Sequence, residues 1–264
     1  RKRGPIVTAR PAPGGFPQRK LADIPAVTPK QMRDIQRIAQ ETFGLDILQI
    51  VENAGRATAL LCLGMLGGRA RGQRIVVLAG GGNAGASGLV AVRNLVNWGF
   101  DAEFVLGEVE EQMSFAARRQ LHILRESGIS EPHDRESSEI TLEEHLRTAD
   151  LVVDALVGYG LIGPPTGLAA AITEMAVASR APILALDIPT GVNAQTGEVS
   201  TPAVRACTTL IFDLPKQGQL LPVCRNEVGE LFLADIGIPR AAHESLGIAV
   251  RGVYDEGPIV RLRR

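Results

Sequence analysis

Short runs of consecutive apolar residues recur along most of the chain, and they predict strands that are covered on both faces. The run at 75–79, Ile-Val-Val-Leu-Ala, is typical of them. Such continuous runs characterise parallel strands, because helices lie on both sides of a parallel sheet. The predicted strands are residues 74–80, 102–106, 151–156, 183–188 and 208–212, followed by a strand-like piece at 228–234.

Segments of helical length separate these runs. Thr28 is a favourable N-cap residue and Pro29 suits the first helical position, so residues 29–41 are predicted to form an amphipathic helix. Strands that alternate with helices predict a doubly wound α/β fold with a parallel sheet. The other predicted helices are an Ala- and Leu-rich segment from about 46 to 66 and stretches at about 88–98, 111–127 and 166–179.

The chain length and the basic amino terminus suggest how the chain is divided. A chain of 264 residues with 45% apolar content can bury one large core. Residues 1–22 are rich in Arg, Lys, Pro and Gly, so we interpret them as a flexible leader and residues 23–264 as one domain. A targeting role or contact with RNA is the alternative for this leader.

Charge and cysteine content exclude several classes of protein. The net charge of −1 and the mixing of both signs argue against a general nucleic-acid binder. Three well-separated cysteines indicate neither a disulfide framework nor a zinc site, and they are typical of a reducing cytoplasm. The apolar runs are much shorter than the roughly 20 residues that a membrane-spanning helix requires.

A glycine-rich segment joins the first predicted strand to the following helix. Residues 80–88 are Gly-Gly-Gly-Asn-Ala-Gly-Ala-Ser-Gly. Glycines let backbone N–H groups approach an anion, and a helix that starts at Ser87 or Gly88 would direct its positive end towards a phosphate. The same composition also suits a tight strand-to-helix turn without a ligand, and the segment lacks the lysine of a P-loop.

Two acidic residues lie at the ends of neighbouring predicted strands. Asp154 ends one apolar run, and Asp187 lies in the segment Leu-Asp-Ile-Pro-Thr at the end of the next. Because ligands bind beyond the carboxyl ends of parallel strands, both carboxylates are expected at one crevice. Asp154 could coordinate a cation, bind a ligand hydroxyl or cap a neighbouring loop, and the pair could act as a general acid and base.

These motifs occur in a characteristic order together with several others. Gln-Met-Arg at 31–33 and Glu-Asn-Ala-Gly-Arg-Ala at 52–57 precede them, and Leu-Pro-Lys-Gln-Gly at 214–218 and Ala-Asp-Ile-Gly-Ile-Pro at 234–239 follow. From about residue 27 to 239 the chain resembles the YjeF N-terminal family, whose best-known members are NAD(P)H-hydrate epimerases. The resemblance implies a Rossmann-like three-layer α/β sandwich with a mostly parallel central sheet.

The resemblance also implies an activity and a site. Such epimerases interconvert the R and S epimers of hydrated NADH or NADPH, which is the substrate rather than a cofactor, and they are often homodimers. Asp187 would hold the hydrated ring and act as acid and base, Lys216 would line the pocket unless it is merely solvated, and Asp154 and Thr190 match potassium-binding positions. The residues expected to contact the nucleotide are Asn83, Ala84, Gly85, Ala86, Ser87, Gly158, Tyr159, Gly160, Leu161, Ile162, Gly163 and Pro164.

The glycine-rich segment departs from the family pattern. Residues 83–88 are Asn-Ala-Gly-Ala-Ser-Gly, where the family commonly has Asn-Asn-Gly-Gly-Asp-Gly. Ala84 removes an oxygen that would bind potassium, Ala86 narrows the space for backbone approach, and Ser87 removes a negative charge. Two functions therefore stay open, a working NAD(P)H-hydrate epimerase and a catalytically inactive nucleotide-binding or scaffold protein with the same fold.

Overall fold

The central feature of the fold is one sheet. The structure, a computed structural model, describes residues 15–129, 131 and 141–264. The strands within these ranges are β1 (Gln18–Lys20), β2 (Arg74–Ala79), β3 (Asp101–Leu106), β4 (Leu151–Ala155), β5 (Ile183–Leu186), β6 (Thr208–Phe212), β7 (Glu230–Ala234) and β8 (Ile259–Arg263). They lie in the order β1-β8-β7-β6-β5-β4-β2-β3, and neighbouring strands are parallel except β7 and β8.

Helices cover both faces of this sheet. They are α1 (Pro29–Glu41), α2 (Ile47–Met65), α3 (Asn83–Asn97), α4 (Phe115–Glu126), α5 (Leu142–Thr148), α6 (Gly167–Ser179), α7 (Arg225–Val228) and α8 (Arg240–Glu244), again within the described ranges. None of these helices is long and apolar enough to cross a bilayer.

The side chains of the strands alternate between two apolar cores. Val77 of β2 packs into the larger core with the apolar faces of α1 to α4, whereas Val76 and Leu78 pack into a smaller core with Leu146 of α5 and Ile172 of α6. Successive residues of a strand point to opposite faces, so the sheet is the middle of three layers. The predicted Rossmann-like sandwich with a mostly parallel central sheet is confirmed.

Local capping explains why some predicted boundaries match the structure. α1 covers residues 29–41 as predicted, because the Gln31 N–H donates to Thr28 Oγ1 at 3.1 Å and the Thr28 N–H donates to Gln31 Oε1 at 2.9 Å. This reciprocal pair of bonds fixes the first turn of the helix. β6 also matches its prediction, but β5 ends before the predicted 188 because Asp187 has a φ of 65°.

Part of the segment predicted to be a flexible leader lies in the sheet. β1 lies within residues 1–22 and pairs with β8 at the edge of the sheet, so residues 18–20 form a strand, while residues 1–14 lie outside the described residues. Arg19 donates to the Gly252 carbonyl at 3.1 Å and forms an ion pair with Glu256. Glu256, the acid that pairs with Arg19, is far away in sequence. The run of basic residues near Arg19 therefore gave no indication that this segment is ordered.

The helix after β2 begins earlier than the sequence predicted. α3 starts at Asn83 with Gly82 as its N-cap, so the predicted start at Ser87 or Gly88 is wrong. Ser87 lies one turn inside the helix, where its hydroxyl donates to the Asn83 carbonyl at 2.9 Å instead of capping. The alanines among the glycines favour a helix, and the turn itself covers only residues 80–82.

Gly80 and Gly85 allow α3 to start directly against the sheet. A Cβ atom on Gly85 would lie 1.8 Å from the carbonyl oxygen of Gly80, and a Cβ on Gly80 would lie 1.8 Å from that of Leu156. No side chain fits at either position. The first N–H groups of α3 are thereby brought to the ends of β2 and β4.

A buried cluster at the end of β6 anchors the carboxyl-terminal part of the chain. His243 Nε2 of α8 lies 2.8 Å from Asp213 Oδ2, and the Tyr254 hydroxyl donates to the Asp213 carbonyl at 2.5 Å. Burial by itself lowers the pKa of His243, but the bonded Asp213 carboxylate outweighs it, and the pKa is raised overall. Protonation of the His243 imidazole therefore stabilises this buried cluster.

The glycine packing leads to a stability prediction. Gly85→Ser is expected to lower the free energy of unfolding by about 2 kcal/mol or more, because the backbone must move to admit a side chain. Gly82→Ser is the matched control, since Gly82 has a φ of −91° and nothing lies within 4 Å of the added Cβ. Urea unfolding followed by circular dichroism measures both, and equal losses in the two variants would contradict this account of the packing.

The His243 anchor leads to a pH prediction. Because the pKa of His243 is raised in the folded state, its contribution to stability is complete below the ordinary value of about 6.5 and is lost as the pH rises through the folded value. The stability difference between wild type and His243→Gln should therefore shrink from about pH 6 to about pH 9 in urea unfolding. His122→Gln, at an exposed histidine, is the control, and a pH-independent difference for His243→Gln would refute the prediction.

Candidate functional site

A cleft of about 300 Å³ opens at the carboxyl ends of β2, β4, β5 and β6. This is the edge of a parallel sheet at which ligands bind. The sequence-predicted residues that line the cleft are Asn83, Ala84, Ser87, Gly158, Tyr159, Gly160, Leu161, Asp187 and Lys216.

The amino terminus of α3 forms one wall of this cleft. The Ala86 N–H donates to the Gly82 carbonyl at 2.9 Å, which begins the helical bonding. Within the described part of the chain, the N–H groups of Asn83, Ala84 and Gly85 have no acceptor, as is usual for the first turn of a helix. Free N–H groups and the positive end of the helix dipole suit a phosphate group.

Five predicted contact residues do not line the cleft. Gly85 packs on Gly80, and Ala86 is buried inside α3. Ile162 is 91% exposed, and Gly163 and Pro164 beside it are also exposed, because the outer half of the loop after β4 points to solvent. Only the inner half of that loop, at 157–161, reaches the cleft.

Asp154 caps the loop that follows β5. The N–H of Thr190 donates to Asp154 Oδ2 at 2.8 Å and the Thr190 hydroxyl donates to Oδ1 at 2.7 Å, while the Leu156 N–H approaches Oδ1 at 3.3 Å. Burial raises the pKa of Asp154 to about 6, against the effect of these bonds. β4 and β5 are neighbours as predicted, but Asp154 does not line the cleft and the two carboxylates do not share one crevice.

The residues that match potassium-binding positions do not form a suitable donor set. A hard cation requires several oxygen ligands. The Asp154 oxygens already accept bonds from Thr190 and Leu156, and Ala84 presents a methyl group on the cleft. The described residues therefore show no complete set of potassium ligands, and bound potassium stays a prediction.

Asp187 supplies a carboxylate at the base of the cleft. It follows β5 directly, and its φ of 65° is a left-handed conformation that aspartate and asparagine tolerate better than most residues. Its Oδ1 accepts bonds from the Lys216 ammonium and from the Phe212 N–H, the latter at 3.2 Å. No described residue donates to Oδ2, so this oxygen is the one left for a ligand.

Lys216 is the buried partner of Asp187. Its side chain is 1% exposed, so the alternative of a solvated lysine is wrong. Besides its bond to Asp187, Nζ donates to the Phe212 carbonyl at 3.0 Å and lies 5.2 Å from the centroid of the Tyr159 ring. A buried ammonium requires such an anionic partner, and the two charges stabilise each other.

The helices before the first central strand supply a wall that sequence reasoning missed. Arg33 and Gln36 of α1 line the cleft, and the Tyr159 hydroxyl donates to Gln36 Oε1 at 2.8 Å. Burial, followed by the nearby Asp187 carboxylate, raises the pKa of Tyr159, so its hydroxyl stays neutral. The motif at 31–33 was a signal for this wall. The other lining residues not predicted are Ile50, Val51, Ala54, Gly82, Val157, Phe212 and Ile236.

Several proteins are similar in sequence to most of this chain. Residues 47–218 match the family model described as YjeF-related protein N-terminus. The chain is 39% identical over 242 residues to the NAD(P)H-hydrate epimerase of Dehalogenimonas lykanthroporepellens, with 90% of this chain and 93% of that protein covered. It is 34% identical to the bifunctional NAD(P)H-hydrate repair enzyme Nnr of Thermofilum pendens over 83% of this chain, but it spans only 41% of that longer relative.

A solved structure has the same fold. The crystal structure of yeast ynu0 (YNL200c) has a TM-score of 0.77 with this chain at 22% sequence identity, and the match covers 90% of this chain and 100% of the yeast chain. At that identity the likeness concerns the fold alone. Because the family model matches well over half of the chain and a close relative is covered almost end to end, the chain belongs to the YjeF N-terminal family, as its motifs predicted.

Proposed function

We propose that this chain is an NAD(P)H-hydrate epimerase, an isomerase that interconverts the R and S epimers of hydrated NADH or NADPH. The observation that carries the proposal is the Asp187 carboxylate, fixed at the base of a cleft with one oxygen free of protein partners. The relative that matches over most of both chains is named for the same activity. The second activity of the longer bifunctional relatives is not part of the proposal.

The cleft offers separate surfaces to the two ends of such a substrate. The first N–H groups of α3 suit the phosphates of the nucleotide. Ile50, Val51 and Ala54 of α2 and Ile236 form an apolar wall on which a nicotinamide ring can pack. A ring bound there would be screened from water beside Asp187, which favours one controlled proton transfer over side reactions.

Asp187 has the properties that the reaction requires. Inverting a carbon that bears a hydroxyl group and a ring nitrogen requires one of these bonds to break and form again on the other face. A proton must leave the substrate and return to it during that exchange. The free oxygen of Asp187 accepts this proton and gives it back, so the residue acts as general base and then as general acid.

The alternative of an inactive binding or scaffold protein was suggested by Ala84, Ala86 and Ser87. Ala86 is buried within α3 and does not line the cleft, so its change from glycine does not alter the cleft surface. The acidic residue and its lysine partner are both present, and no observation favours the inactive protein. Bound potassium, a homodimer and a cytoplasmic location stay predictions, and the proposal depends on none of them.

The proposal predicts that activity depends on the Asp187 carboxylate. Asp187→Asn keeps a residue that tolerates positive φ but removes the base, so epimerisation of purified (R)- and (S)-NAD(P)H hydrates should slow by about 10² to 10⁴-fold. Chromatography of the two epimers over time measures the rate. Asp101→Asn, at an exposed position at the start of β3, is the matched control. A folded wild type that leaves the epimers unchanged would sink the proposed function.

A further inference from the structure

The Lys216 ammonium is a buried charge that the proposed reaction does not yet use. The residue has 0% exposure, and Asp187 is its anionic partner among the described residues. Taking an ammonium out of water costs several kcal/mol even after relaxation. Because burying this lysine is unfavourable by itself, we expect it to have a role beyond packing.

The contacts of Lys216 fix the position of the Asp187 carboxylate. An ammonium has three donors, of which one is used by Asp187 Oδ1 and one by the Phe212 carbonyl at 3.0 Å. Phe212 also donates its N–H to the same Oδ1. Because two donors hold Oδ1 at the end of β6, the carboxylate cannot turn freely and Oδ2 is left on the side of the cleft.

The backbones of the two residues are also tied together. The Lys216 N–H donates to Gln219 Oε1 at 2.9 Å, and Gln219 Nε2 donates to the Asp187 carbonyl at 3.2 Å. The Val27 N–H donates to the Pro215 carbonyl and the Gln217 N–H donates to the Val27 carbonyl, each at 2.9 Å. These bonds hold the segment that carries Lys216 from both sides. The position of the Lys216 ammonium is therefore fixed.

The other charged groups around the cleft do not substitute for Lys216. Among described residues, the titratable side chains that line the cleft are Arg33, Tyr159, Asp187 and Lys216. Arg33 is exposed at the rim on α1, and Tyr159 is neutral. Asp154 on the neighbouring strand is bonded to Thr190, and Asp213 after β6 is bonded to His243.

We infer that Lys216 is a positioning residue for epimerisation, whose ammonium holds the Asp187 carboxylate in place with Oδ2 directed at the substrate. The inference rests on the proposed function. In the forward step Oδ2 takes the proton of the substrate hydroxyl, the oxygen becomes a carbonyl, and the bond from that carbon to the ring nitrogen breaks with its electron pair moving to the nitrogen. Asp187 becomes neutral while Lys216 keeps its charge. In the return step the nitrogen re-forms the bond on the other face of the carbonyl and the same proton goes back to the oxygen, so bonds, protons and charge balance over the cycle.

The test compares Lys216→Met, Lys216→Arg and wild type in the full chain, using the (R)- and (S)-hydrates as substrate. Methionine keeps the length of the side chain but removes its charge. The Asp187 carboxylate then loses one of the two donors that hold Oδ1, so kcat should fall about 10²-fold with KM little changed. A carboxylate without its ammonium also takes up a proton more readily. The acidic limb of the kcat/KM profile should move towards higher pH by about one pH unit or more. In Lys216→Arg the charge remains but is displaced, so kcat should fall while the acidic limb stays as in wild type.

The outcomes separate this inference from the proposed function. Inactive wild type overturns the proposed function, whereas active wild type and a folded Lys216→Met with an unmoved acidic limb overturn the role of Lys216. If Lys216→Met does not fold, Lys216→Arg decides, and wild-type kcat in that variant would show that the position of the ammonium is immaterial. Lys30→Met, which removes an exposed surface ion pair with Asp34, is the control for loss of a lysine.

Discussion

The buried ion pair between Asp187 and Lys216 is the constraint on which the site depends. Neither charge is stable alone in this environment, so the end of β5 and the segment after β6 must meet. Their meeting sets the left-handed backbone of Asp187 and the course of the chain from Phe212 to Gln219. The cleft takes its shape around this pair, with α3 on one side and α1 on the other.

Much of the layered fold could be predicted because its signals are local. A capping pair three residues apart defines the start of α1, and continuous apolar runs identify the central strands. Adjacent strand ends after β4 and β5 were also predictable, since consecutive βα units place parallel strands side by side. The glycine-rich segment was correctly placed at the cleft, and the start of α3 was misjudged because glycine weakens every helical signal.

The rest depends on contacts between residues far apart in sequence. Nothing near Asp187 indicates that its partner is Lys216, and a lysine after a strand is more often solvated. Whether Asp154 would face a ligand or cap a loop depended on the position of the Thr190 N–H, which only the folded backbone determines. The pairing of β1 with β8 likewise joins the two ends of the described chain, which no local pattern could reveal.

The two apolar cores on either side of the sheet pack against different helices. The larger core includes the helices that wall the cleft, while the smaller one joins α5 and α6 to residues such as Val76 and Leu78. Because neighbouring positions of one strand belong to different cores, sequence drift on one side need not disturb the other. A substitution beneath α5 and α6 therefore reaches the cleft through residues such as Val157, which packs against the smaller core and also lines the cleft.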